Sequence, residues 1–81
     1  MTNWYREALE AVGMLGRRKA IRNRLNAVAA HSDDAALRTL ATEVIREFDY
    51  AGLNTDHTSL LDSNSVNTDK LVTHCQERAY S

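Results

Sequence analysis

The stretch SDDAALRTLATEVIREFDYAG, residues 32–52, decides the fold. Leu37, Leu40, Ala41, Val44, Phe48 and Ala51 recur every three or four positions, with Ile45 at their edge. In a helix of 3.6 residues per turn, that spacing gathers them into one apolar stripe. Ser32 stands where a capping side chain is wanted, and Asp33 and Asp34 fall where the helix dipole favours acids. Gly52 offers the left-handed stop. A helix over residues 33–51 follows.

Working outward, Ile21, Leu25 and Val28 predict a helix over 17–30, and Asn3 can cap another over 3–14 whose stripe is Tyr5, Leu9, Val12 and Leu15. On a common helical wheel the two stripes lie roughly 180° apart, so a single straight helix cannot serve both. Gly13-Met14-Leu15-Gly16 between them is therefore read as a turn. Downstream, residues 53–67 are rich in Ser, Thr, Asn and Asp, which predicts a loop with room for one helical turn at Leu60-Leu61. A last helix over 68–79, starting at Asn67 or Thr68, carries Leu71, Val72, Cys75 and Ala79.

No stretch alternates apolar and polar residues with β-branched enrichment, and proline is absent. The expected fold is all-α: one domain over 1–81, a small helical bundle of three main helices plus a short C-terminal or loop helix. The chain has 81 residues, 43% hydrophobic, but eleven of these are alanine and only seventeen are Leu, Ile, Val or Phe. Chain entropy and apolar burial nearly cancel at this size, which favours stabilisation by self-association or a partner.

Cys75 is the only cysteine, so an intrachain disulfide is ruled out and a reducing, cytoplasmic setting is expected. The opening residues MTNWYRE lack the basic-then-apolar order of a secretory signal, and no apolar run reaches the roughly 18 residues of a membrane span.

The net charge of −1 hides an asymmetry. Residues 1–31 hold six Arg and Lys against two Glu; residues 32–81 hold four against nine acids. Such halves attract each other within a fold or between copies. Arg17, Arg18, Lys19, Arg22 and Arg24 form the densest cluster. They straddle the Ile21/Leu25 stripe on both sides instead of forming one ridge, an arrangement suited to a helix packed on another helix. Glu43 and Glu47 flank the 33–51 stripe in a matching way and are the expected partners.

Gly13 to Gly16, followed by Arg17-Arg18-Lys19, resembles the GxxG loop of KH domains, which clamps a nucleic-acid backbone. Those domains pack their helices on a sheet, and this sequence predicts no strand, so the segment is read as an inter-helix turn.

Sequence motifs for catalysis are missing: there is no nucleophile elbow, P-loop or dinucleotide fingerprint. No catalytic residue and no cofactor are assigned. His74 and Cys75 are neighbours, about 100° apart on a helix, and so cannot face one ion. No CxxC or HxxxH spacing occurs, and the run from Asp62 departs from a calcium loop at Val66 and Thr73. No metal is expected.

The function expected is that of a small non-enzymatic interaction module: a regulator, inhibitor or adaptor that occupies a partner protein's surface. Its candidate contacts are Trp4, Arg17, Arg18 and Arg22, residue types enriched at binding hot spots. Nucleic-acid binding through Arg17, Arg18, Lys19, Arg22 and Arg24 ranks second, and a structural homo-oligomer, a homodimer for example, third. No membrane partner is expected. Charge reversal at Arg18 and Arg22 is expected to abolish binding without unfolding the chain.

Overall fold

A computed structural model describes residues 2–52 and 55–80. Among them are four α-helices: α1 (Trp4–Gly13), α2 (Arg18–His31), α3 (Ala35–Ala51) and α4 (Val66–Ala79). A 3₁₀ turn, Leu60–Asp62, interrupts the segment between α3 and α4, and no strand is present among the described residues. Each helix packs on two neighbours, in the order α1, α2, α3, α4 and back to α1. Leu53 and Asn54, the start of the expected polar loop, lie outside the described residues.

The fold is the all-α bundle expected, with one adjustment to its proportions. The last helix is not short: α4 has 14 residues, as many as α2, whereas α1 has 10. It begins at Val66 because the Ser65 hydroxyl accepts the Thr68 amide, which lets one more half-turn form ahead of the apolar stripe. The helical turn expected at Leu60-Leu61 is the 3₁₀ turn.

The core is built from Ala8, Ala11, Val12, Ile21, Leu25, Val28, Leu37, Ala41, Val44, Phe48, Leu60, Leu71 and Cys75. The stripes of α2 and α3 face the core as their periodicity dictates, with Leu40 and Ile45 partly buried at the edge and Ala51 exposed on the last residue of α3. In α1 the stripe shifts. Ala8 and Ala11 are fully buried beside Val12, and Tyr5 and Leu9 are only partly covered. Small residues let α1 approach its neighbours closely, so alanine does the packing that leucine was expected to do.

Leu15 was expected in the α1 stripe and is exposed instead. The helix stops at Gly13, and Met14 turns to extended backbone with ψ 144°, so Leu15 loses the helical phase and Met14 packs on the core in its place. Gly16 completes the reversal at φ +113°, a conformation that L residues rarely adopt. Its amide donates to the Thr55 carbonyl at 2.6 Å, and the buried Thr55 hydroxyl donates to the Gly16 carbonyl, so the turn is fastened to the α3–α4 connection. No atom lies near the space a Cβ would take at Gly16, so the cost of a side chain there is backbone strain alone. Gly16→Ala is expected to destabilise by about 2 kcal/mol and lower Tm by roughly 10 °C in a thermal melt. An unchanged Tm would show that the turn has another accessible conformation.

The cap of α3 also differs from expectation. Asp34, not Ser32, occupies the N-cap, its Oδ1 accepting the amides of Ala36 and Leu37. Ser32 ends α2 and accepts the Asp34 amide on its hydroxyl. An ionised carboxylate is the stronger acceptor for the bare amides of a helix start. Asn3 and Gly52 cap as expected, Gly52 at φ 62°.

Candidate interaction surface

Because the four helices alternate in direction, the end of α1, the start of α2, the end of α3 and the start of α4 meet at one end of the bundle. Three cross-links define this basal end. Arg18 of α2 donates to the Phe48 carbonyl of α3 at 2.8 Å; Asn67 of α4 donates to Glu47 of α3 at 2.8 Å; and Leu61 of the 3₁₀ turn packs over Gly13.

The basic cluster is divided among several tasks. Arg18 caps α3, reaching the Phe48 and Asp49 carbonyls, and lays its guanidinium 4.7 Å from the centre of the Phe48 ring. Arg22 pairs with Asp49 at 3.0 Å. Arg24 turns to the other flank, 3.0 Å from Glu10 and 3.6 Å from Glu7 on α1. Arg18 and Arg22 therefore face α3 as a packed seam requires, but their partners are not the expected Glu43 and Glu47. Glu43 pairs with Arg46 and Glu47 accepts from Asn67. The reason is register: α2 starts level with the last turn of α3, where the free carbonyls and Asp49 lie.

Arg17 and Lys19 are exposed, and their side chains make no hydrogen bond or ion pair among the described residues. Between Glu10 and Asp33 the sequence holds no acid, but the α3–α4 connection brings Asp56, next to the Thr55 that bonds Gly16, and Asp62, next to the Leu61 that packs on Gly13, to the same corner.

Trp4 does not join Arg17, Arg18 and Arg22 in one patch. It stacks beside His31, ring centres 6.0 Å apart, at the opposite, apical end. The 14 residues of α2 put about 20 Å between the two ends.

Sequence reasoning missed the residues that mark the basal end. Five large hydrophobic residues are exposed among the described residues, and four of them collect there: Leu15 (58% exposed), Tyr50 (96%), Leu61 (44%) and Val66 (65%). Tyr50 follows Phe48 by two positions, about 200° around the helix, so its exposure could have been read from phase. The exposure of Leu15 and Val66 depends on where the neighbouring helices stop and start. The fifth, Tyr80, is apical and lies under the Arg6 guanidinium at 5.3 Å.

The apical end carries a polar cluster with no sequence signal, since its members are 29 and 40 residues apart along the chain. Asp34 Oδ2 accepts the Tyr5 hydroxyl at 2.8 Å and lies 2.9 Å from His74 Nε2, which donates to the ionised carboxylate. Hydrogen bonds from His74 and Tyr5 hold the Asp34 carboxyl well below the usual carboxylate range, and the bond to Asp34 together with burial raises the Tyr5 phenol. Cys75, next in sequence to His74, points into the core, where burial pushes its thiol up to about 11. A thiol so poorly ionised is a weak nucleophile. The cluster thus ties α1, the start of α3 and α4 together. Among the described residues no group of three or more His, Cys, Asp or Glu side chains is arranged to hold a metal ion, and no helix is long and apolar enough to cross a membrane.

The chain was compared with protein-family models, curated proteins and solved structures, and none of them matches it. What the fold and this surface define is a small four-helix bundle with an apolar, partly cationic end.

Proposed function

We propose that this chain is a non-enzymatic protein-interaction module that engages its partner through the basal end. The observation that carries this reading is that four of the five exposed large hydrophobic side chains among the described residues, Leu15, Tyr50, Leu61 and Val66, lie at the end of the bundle that also bears the exposed cations Arg17, Lys19 and Arg22. Exposed apolar side chains interspersed with charge are common at binding surfaces. Arg17 and Arg22 stay among the candidate contacts. Arg18 leaves them, because it serves α3, and Trp4 would need a second contact at the apical end.

Photocrosslinking tests the proposal. A benzophenone amino acid at position 15, 50 or 61 is expected to give a discrete adduct in native extract, and none at Thr39 or Gln76, which are exposed toward the apical end. Equal labelling at all five positions, or no adduct at any, would overturn it.

One observation favours nucleic acid as a second reading. Lys19, Arg22, Asn23 and Asn26 line a single shallow cleft along α2 and offer donors to a phosphate chain. Asp49 sits in the same cleft, and the ion pairs of Arg22 and Arg24 compete with phosphate. Anisotropy with duplex DNA and single-stranded RNA across a salt series separates the two readings, since phosphate binding weakens steeply with salt. In the third reading, a structural oligomer, the acidic and basic halves would pair between copies, yet Arg22 and Asp49 already join the halves within one chain.

A further inference from the structure

We infer that residues 55–63 form a strap that lifts off the bundle as a unit, turning at Asn64 while the four helices stay folded. The inference is independent of the interaction reading and concerns a second conformation of the chain itself.

The strap is held together from within. The Asp62 amide donates to the Ser59 carbonyl and the Ser63 amide to the Leu60 carbonyl, both at 3.1 Å, and the Ser63 hydroxyl donates to the Leu60 carbonyl at 2.6 Å. It is fastened to the α1–α2 turn at Thr55, through the pair of hydrogen bonds exchanged with Gly16. Leu60 is its one large apolar side chain in the core, 2% exposed, where the 3₁₀ turn rests against α1 and α4. Leu61 lies on the outside over Gly13.

Asn64 supplies the hinge. Its φ of +59° lies in the left-handed region, which asparagine enters more readily than most L residues. Directly after it, the Ser65 hydroxyl accepts the Thr68 amide and the Ser65 carbonyl accepts the Asp69 amide. The start of α4 is thus capped by a residue beyond the strap, and lifting the strap removes nothing from it. Lifting breaks the Thr55–Gly16 bonds and withdraws Leu60 and Leu61, whereas full unfolding also exposes Leu25, Leu37, Phe48 and the rest of the core. The freed segment regains its chain entropy in the same step. Few broken contacts for a whole freed segment place an opening at the low end of a protein's stability range. The lifted form bares the seat of Leu60 against α1 and α4.

Hydrogen exchange on the intact chain, followed by NMR as guanidinium is raised below the unfolding midpoint, tests the strap. The Gly16 amide is the reporter, because it is bonded to the Thr55 carbonyl. It is expected to be at least about tenfold less protected than the amides of Leu25 and Val44. It should also respond little to denaturant, since lifting exposes little surface, while the helical amides speed up steeply. Two variants identify the motion that frees it. Leu60→Val trims the contact that lifting must break and should speed Gly16 exchange about fivefold. Val28→Ala, buried toward the apical end of α2, should speed the helical amides about tenfold and leave Gly16 unchanged, because Val28 stays buried in both forms of the strap.

A Gly16 amide that follows the helical amides through the denaturant series would show that the strap releases only on global unfolding, and the inference would fall. It would fall equally if Gly16 exchanged early but ignored Leu60→Val, since flexing of the Gly13–Gly16 turn alone would then free it. The denaturant series uses the unaltered chain, so the first of these outcomes is read without any variant.

Discussion

Phe48→Ala is expected to cost about 4 kcal/mol, the largest single loss available in this chain. Phe48 is the largest of the fully buried side chains and the only phenylalanine. It lies on the core face of α3, so its removal opens a cavity between α3 and the helices packed on it. Total stability at this length is about 4 to 12 kcal/mol, so the variant stands close to half unfolded at the low end of that range. The ring also supports Arg18, and through Arg18 the capping of the α3 carbonyls. Arg18→Ala made in the Phe48→Ala background should therefore cost less than in the wild type, a coupling of about 0.5 to 1 kcal/mol in a double-mutant cycle. Chemical denaturation of the four proteins measures it, and strict additivity would show that ring and guanidinium act independently. The same contact bears on charge reversal at Arg18, which sets a negative charge against the carbonyl end of α3 and is expected to lower stability as well.

Asp34→Ala is expected to cost about 3 kcal/mol, because one carboxylate holds three elements. The alanine variant loses the cap of α3, about 1 kcal/mol. It also leaves the Tyr5 hydroxyl and His74 Nε2, both half-buried, without their acceptor, at about 1 kcal/mol each. The pH dependence gives a second check. Asp34 titrates lower in the folded chain than in the unfolded one, so its contribution is complete above the ordinary carboxylate pKa of about 4. It declines as pH falls from there through the depressed folded value. The stability gap between wild type and Asp34→Ala should thus be level at neutral pH and shrink steadily in acid. A gap that stays constant down to strong acid would mean that Asp34 acts through shape and not through charge. Asp34→Asn keeps the capping oxygen and should lose roughly half as much.

Together these expectations divide the polar residues by task. Asp34, Tyr5 and His74 fasten the apical end and Arg18 fastens the basal end, so changes there register in the melting curve. Arg17, Lys19, Leu15 and Tyr50 contact little and should register in binding.

The helices were legible in the sequence because their causes are local. Periodicity at Leu37, Val44 and Phe48 marked α3, the opposed stripes of α1 and α2 demanded a turn at Gly13–Gly16, and Asn3 and Gly52 carried their capping roles in their own chemistry. Straddling arginines likewise announced that α2 packs against another helix. Register between helices was not legible. That Arg18 and Arg22 meet the end of α3 and Asp49, and that Tyr5 and His74 share the Asp34 carboxylate, follow from how far each helix slides along its neighbour. That offset is set by the summed packing of alanines, Phe48 and the loop anchored at Thr55, a property of the assembled core that no short stretch of sequence contains. The sequence by itself determined that the chain forms helices and which stretches form them; only the tertiary structure decided their final caps and ends, their register, and which side chains pair across them.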